Sequence, residues 1–197
     1  MTISIKNIQQ ASIVVSLIYK EIMEKTPGLP IILIYCEGGG DKKFVNSIKN
    51  AYGNSKSFKI VPGNGGSQEE ILDGCIKVEG EFERYCVIDA IPKIKNETRR
   101  KAKKNEIKLV EVKPYLECVI LNVLENNTFH NKGFNKNTAK DKLKKMIKSE
   151  ESLENLFSKH ITKKLLIERK NLLGNFRIIL DLFEKYKQTE QTRNNVY

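Results

Sequence analysis

The sequence has few of the residues and segments that mark secreted, membrane or zinc-binding proteins. Its longest apolar run, Ile31 to Cys36, has the length of a strand and falls far short of the roughly 20 residues of a membrane span. Residues 1–6 lack the basic-then-apolar pattern of a secretion signal. The four cysteines form no CxxC pair, which argues against a zinc site or a thioredoxin-type redox site. We therefore expect a cytoplasmic protein with reduced thiols and no membrane segment.

Histidine and nucleotide-binding motifs are also scarce. The two histidines, His130 and His160, are isolated, and no Ser/His/Asp or Cys/His set emerges for nucleophilic catalysis. Gly38 to Gly40 do not form a dinucleotide fingerprint, and Gly63 to Ser67 lack the Lys-Ser/Thr ending of a P-loop. The second of these glycine-rich segments leads into a predicted helix, whose N-terminus is suited to a phosphate.

Positive charge is abundant and unevenly placed. The formal net charge is +11, with −1 in residues 1–91 and +12 in residues 92–197. The densest basic cluster consists of Lys93, Lys95, Arg99, Arg100, Lys101, Lys103 and Lys104. A second cluster consists of Lys132, Lys136, Lys140, Lys142, Lys144, Lys145 and Lys148. This asymmetry favours a polyanionic partner, with DNA or RNA first, and the alternative is a set of solvated Lys-rich helix faces.

Short apolar segments alternate with helical patterns in the middle of the chain. The predicted strands are 31–36, 58–61, 84–88 and 107–112, and each is followed by a helical pattern. This alternation predicts an α/β fold with a mostly parallel four-stranded sheet flanked by helices. The predicted organisation is an N-terminal helix in 1–28, the α/β core in 29–125, a helical C-terminal extension packed on the core in 126–187 and a flexible tail in 188–197.

Carboxylates follow three of the four predicted strands. Glu37 comes directly after the first strand, and Asp89 directly after the third. Glu117 lies in the helix after the fourth, in a stretch where eight of ten residues (115–124) are apolar. The carboxyl ends of parallel strands share one edge of the sheet, and oxygen ligands without His or Cys suit Mg²⁺ or Mn²⁺. The alternative is that these carboxylates cap helices or pair with Lys or Arg.

The order of these segments resembles the RloB-like proteins, which are Toprim-related proteins of bacterial and phage defence loci. The resemblance covers residues 30–125, with a vaguer helical match to about 187. It runs through Ile32–Gly38, Tyr85–Asp89, Lys103–Leu109 and Lys113–Glu117, and the Pro-aromatic-x-Glu element at the end is its most specific part. It implies a Toprim-like parallel sheet, a Glu for acid–base chemistry or metal binding, and an Asp-x-Asp that holds Mg²⁺. It also implies a partner ATPase of the ABC type.

The chain departs from that pattern at one position. Glu37 matches the family's Glu and Asp89 the first Asp, but the second Asp position is Ile91, which removes one metal carboxylate. Asp41 or Glu117 is then left to supply the missing oxygen, and Glu117 also matches the Glu of the family's Pro-x-x-Glu element.

The leading hypothesis is a metal-dependent nuclease that acts as the effector of a defence system. Glu37, Asp89 and Glu117 are its predicted catalytic residues and ligands of Mg²⁺ or Mn²⁺, with Asp41 as a further ligand. The basic clusters would hold the nucleic-acid backbone. One alternative is a degenerate module that binds nucleic acid or a partner ATPase without cutting, and another is an adaptor for an acidic protein. Apolar stripes in the C-terminal helices are also compatible with a homo-oligomer.

Overall fold

The computed structural model describes residues 31–53, 57–126 and 136–194, with side chains as far as Lys187. The predicted N-terminal helix in 1–28 and the basic residue Lys132 lie outside the described residues.

Four parallel strands form a single sheet in the described part of the chain. They are β1 (Ile32–Cys36), β2 (Phe58–Pro62), β3 (Glu83–Asp89) and β4 (Ile107–Val112), in the order β2-β1-β3-β4. Every residue of β1 is buried, because helices cover both faces of the sheet and both sets of alternating side chains must be apolar. The predicted α/β fold with a four-stranded sheet flanked by helices is confirmed, and each strand pair is parallel.

A helix follows each strand, and further helices fill the C-terminal part. The first four are α1 (Gly39–Ala51), α2 (Gln68–Lys77), α3 (Asn96–Lys104) and α4 (Leu116–Glu125). Next come α5 (Lys136–Ser149), α6 (Leu153–His160), α7 (Lys163–Glu168), a 3-10 helix (Lys170–Phe176) and α8 (Arg177–Asn194). A capping box opens α2, since Ser67 Oγ accepts from the N–H of Glu70 and Glu70 Oε2 accepts from the N–H of Ser67.

The backbone of the predicted tail in 188–197 is helical as far as Asn194, where α8 ends. The prediction ended the helix where its apolar residues end. Gln, Glu and Arg have good intrinsic helix propensity, so this polar segment is compatible with a helical backbone.

The sheet separates two hydrophobic clusters. One contains Ile32 and Ile34 of β1 with side chains from α1, α4 and the helices from α5 to α8. The other contains Leu33 and Tyr35 with side chains from α2 and α3. Because successive strand residues point to opposite faces, β1 contributes alternately to both clusters. The C-terminal helices therefore pack over the same sheet face as α1 and α4.

In the described ranges, no helix combines the length and the apolar character needed to cross a membrane. The most apolar helix, α4, has 10 residues and takes its place in the core of the fold.

Candidate functional site

The strand order places a crevice between β1 and β3. The chain leaves β1 for β2 on one side of it and then crosses to β3 on the other side. In an open parallel sheet, ligands bind at such a reversal, outside the carboxyl ends of the strands. Glu37 follows β1 and Asp89 ends β3, so both predicted residues flank this point. A cleft of about 450 Å³ opens there, lined by these two carboxylates, Lys95, Lys136 and the start of α2.

The glycine-rich loop after β2 fixes the backbone at Glu37. The N–H of Gly63 donates to the carbonyl of Cys36 at 2.7 Å, and the N–H of Gly65 donates to the carbonyl of Glu37 at 2.9 Å. A Cβ atom at position 63 would lie 2.9 Å from that Glu37 oxygen, so the close approach requires glycine. Two N–H groups of this loop therefore position the end of β1.

The side chain of Asp89 is held between two helices, and a third helix binds its backbone carbonyl. Its Oδ1 accepts from the N–H of Leu116 at 3.1 Å, and its Oδ2 accepts from Nζ of Lys136 at 2.5 Å. The side chain of Gln68 donates to the Asp89 carbonyl at 2.8 Å and to the Pro92 carbonyl at 2.6 Å. The start of α4, the first residue of α5 and the start of α2 thus fix this strand end together.

Glu37 and Asp89 converge on one cationic group. Nζ of Lys136 lies 2.5 Å from Asp89 Oδ2 and 3.5 Å from Glu37 Oε1. Burial opposes the charge of Lys136, but the hydrogen bond to Asp89 and the neighbouring carboxylates outweigh it and raise its pKa. The pKa of Glu37 is raised by burial and by repulsion from Asp89, in spite of the ammonium. The positive charge of Lys136 therefore offsets the negative charge of Glu37 and Asp89 only in part.

Glu117 and Asp41 lie near this pair but have other partners. Glu117 Oε1 lies 3.6 Å from Nζ of Lys140, one turn beyond Lys136 on α5. Asp41 Oδ2 accepts from the N–H of Gly38 at 3.0 Å and caps α1. The pKa of Asp41 is raised to about 7, mainly by burial. The hydrogen bond from Gly38 lowers this pKa, and repulsion from Glu37, Asp89 and Glu117 raises it further. The four predicted carboxylates thus repel one another, while only two of the four contact Lys136.

The donor chemistry of the pair fits a divalent cation. Mg²⁺ is commonly bound through one or two carboxylates, with waters and substrate phosphates completing its shell. Glu37 and Asp89 supply such oxygens and already face one cationic group. Over the described ranges, no three His, Cys, Asp or Glu side chains are grouped so that they could hold a metal ion. Ile91, at the expected second Asp position, is 48% exposed and lines the cleft.

The predicted basic cluster divides into two sets. Arg99 forms a two-point ion pair with Glu111 of β4, and Nζ of Lys101 lies 2.5 Å from Asp73 of α2. These two side chains join α3 to its neighbours. The exposed members are Lys93, Lys95, Arg100, Lys103 and Lys104. Lys95 also lines the cleft, so this second set extends from the crevice along α3.

Two residues of the site were missed in the sequence. Lys136 was placed in a basic cluster, where no local signal separates it from the other lysines. Gln68 follows the capping residue of α2 and carries no motif of its own. Their roles depend on contacts between distant elements, since Lys136 lies 47 residues from Asp89 in the chain.

No family model matches the chain, and no curated protein or solved structure is detectably similar to it. The resemblance to RloB-like proteins therefore stays a prediction that rests on the residues quoted for it.

Replacing Asp41 by Asn is expected to change how stability depends on pH. A pKa raised from 3.8 to about 7 means that the folded state binds the proton more tightly than the unfolded state. Stability is therefore lost as the pH rises from about 4 to about 7, and the loss is constant above. A pKa difference of this size corresponds to a loss of about 4 kcal/mol in the free energy of unfolding. We expect ~1–2 kcal/mol, because the side chain is only partly buried and solvent screens its charge.

Urea unfolding at about pH 4 and about pH 8 tests this expectation. Asn retains an acceptor for the N–H of Gly38, so the helix cap is kept. The wild type should lose stability between the two pH values relative to Asp41→Asn. Identical pH dependence in both proteins would contradict the expectation.

Proposed function

We propose that the chain is a metal-dependent nuclease of the Toprim type, which cleaves phosphodiester bonds of DNA or RNA. The observation that carries the proposal is the convergence of Glu37 Oε1 and Asp89 Oδ2 on one cationic group at the strand-order reversal. Carboxylates that share a cation in an open cleft are suited to hold a divalent ion beside a phosphate.

Glu37 and Asp89 have different roles in the proposed reaction. Glu37 and Asp89 are the residues that would hold Mg²⁺ or Mn²⁺, which when bound polarises a phosphoryl oxygen and activates water. The Glu37 side chain is 28% exposed and that of Asp89 11% exposed. Glu37 is therefore the better placed of the two to exchange a proton with substrate or water. Asp89 is the anchored ligand, since its other oxygen accepts from the N–H of Leu116.

The exposed basic residues provide the nucleic-acid contact. Lys95 lines the cleft, and Arg100, Lys103 and Lys104 continue from it along α3. Such side chains bind phosphates and position the strand without reading its sequence. DNA and RNA are both compatible with this surface.

The resemblance adds the biological setting to the proposal. It makes the chain the effector of a defence system and gives it an ABC-type ATPase as partner. All four cysteines, Cys36, Cys75, Cys86 and Cys118, are buried free thiols, which supports a place in the reducing cytoplasm.

A second candidate function is nucleic-acid binding without cleavage. Ile91 puts an apolar side chain where the resemblance expects the second Asp, and Lys136 already neutralises part of the carboxylate charge. Both observations favour a degenerate site that retains the basic surface.

A cleavage and binding assay separates the two functions. The purified chain is incubated with labelled single-stranded DNA, double-stranded DNA and RNA, including tRNA, with Mg²⁺, Mn²⁺ or EDTA. We expect products that require the metal and disappear with EDTA. Binding without products on every substrate, also after a co-purified ATPase is added with ATP, would overturn cleavage and favour the second function.

The exposed face of α3 predicts a specific salt dependence. Arg100→Gln with Lys104→Gln removes two exposed charges one helical turn apart. Loss of two phosphate contacts should reduce the slope of log affinity against log salt by about 2 and weaken binding about tenfold or more. Fluorescence anisotropy with generic DNA and RNA measures both quantities.

The matched control is Lys164→Gln with Lys185→Gln, which removes the same charge from exposed sites on α7 and α8. Its salt slope should stay close to that of the wild type. Equal slopes for the two double variants would place the nucleic-acid contact elsewhere.

A further inference from the structure

The ammonium of Lys136 lies against Glu37 and Asp89, at the position that a bound metal ion would take. It makes its shortest contact, 2.5 Å, with Asp89 Oδ2 and reaches Glu37 Oε1 at 3.5 Å. A divalent ion that bound both carboxylates would need the same position, because metal–oxygen distances are about 2.0–2.6 Å. The ammonium and the metal exclude each other by size and by charge.

We infer that Lys136 sets the metal affinity of this site, as a tethered competitor that must leave the carboxylates before a divalent cation binds them. The inference rests on the proposed function, because it assigns a role to a residue of the same site. It makes metal loading conditional on movement of one side chain, which is a control that the carboxylates alone do not provide.

The structure gives Lys136 a route out of the carboxylate pair. It is the first residue of α5, and its side chain is 29% exposed and lines the cleft. A lysine side chain has four rotatable bonds, so its ammonium can swing into the cleft while the helix stays in place. There it faces the space that we assign to the substrate phosphate.

Lys140 provides a matched comparison on the same helix. Its ammonium lies 3.6 Å from Glu117 Oε1, one turn further along α5, and its side chain is 47% exposed. Removal of Lys140 deletes the same charge from the same face but leaves the Lys136 contacts with Glu37 and Asp89 in place. It therefore reports the general effect of a lost positive charge on cation binding.

The test is Mn²⁺ affinity, measured by electron paramagnetic resonance of the free ion without substrate. Lys136→Met should bind Mn²⁺ at least about tenfold more tightly than the wild type, since it loses a contacting ammonium. The Mn²⁺ affinity of Lys140→Met should stay within about threefold of that of the wild type. Lys136→Arg keeps the positive charge and should bind Mn²⁺ as weakly as the wild type does. Lys136→Gln is measured in parallel, because its amide keeps a donor for Asp89 if the Met variant does not fold.

Chemical reactivity gives an independent readout in the wild type. Acetylation of Lys136, followed by mass spectrometry, should be slow without metal and increase when Mn²⁺ displaces the ammonium, while Lys164 serves as the exposed reference. Equal, tight Mn²⁺ binding by wild type and Lys136→Met would overturn this inference and leave the nuclease proposal standing. No Mn²⁺ binding by any variant would overturn both.

Discussion

The variants Glu37→Gln and Asp89→Asn are each expected to lose metal-dependent cleavage by about 100- to 1,000-fold or more, which is at least the cost of removing one preorganised hydrogen-bond donor from an active site. Each substitution removes one of the two negative charges that face Lys136 and that would hold the cation. The measurement is the single-turnover cleavage rate at saturating Mg²⁺ or Mn²⁺, on the substrate that the wild type cuts best.

Both variants are designed to keep the fold. Asn at position 89 still accepts from the N–H of Leu116, and Gln at position 37 keeps the size of the side chain. The control is Glu125→Gln, a carboxylate on α4 that pairs with Lys142 and does not line the cleft. Far-UV circular dichroism and thermal unfolding check that all three variants fold. Cleavage at the wild-type rate by both site variants would exclude these carboxylates from catalysis.

The sheet and the position of these two carboxylates were predictable because buried strands appear in the sequence as runs of apolar residues. A parallel strand covered on both faces appears as a continuous apolar run, so the residue that ends the run marks the edge of the sheet. Ile32–Cys36 shows this pattern over its whole length and β3 shows it over 85–88, and Glu37 and Asp89 are the residues that end the two runs. Neighbouring strand ends then place the two carboxylates near each other without any knowledge of the loops.

The cations of the site were not predictable in the same way. Lys136 is one of many lysines on helices after residue 130, and its contact with Asp89 depends on how α5 packs against α4. Arg99 and Lys101 show the reverse case. A count of charges assigned them to nucleic acid, whereas pairing with Glu111 and Asp73 connects α3 to its neighbours. Which charge on an exposed helix finds a partner is decided by tertiary contacts that leave no periodic pattern.

Phe44→Ala is expected to lower the free energy of unfolding by about 3–5 kcal/mol, which is the usual cost of truncating a fully buried Phe. The Phe44 side chain is completely buried, and its ring centroid lies 5.4 Å from those of Phe157 and Phe176. These contacts join α1 to α6 and to the 3-10 helix, so the cavity would open between the sheet-bound helices and the C-terminal ones. Urea unfolding followed by far-UV circular dichroism measures the change.

The comparison variant is Phe82→Ala, because Phe82 is only partly buried and lies under the side chains of Lys59 and Arg84. Its cost should be clearly smaller than that of Phe44→Ala. Both variants should unfold in a single transition, since the C-terminal helices share one hydrophobic cluster with β1, α1 and α4. Two separate transitions, or a loss below about 1 kcal/mol for Phe44→Ala, would contradict a shared core. A single transition would mean that the helix carrying Lys136 and the strands that position Glu37 and Asp89 fold as one unit, because all of them share this hydrophobic cluster.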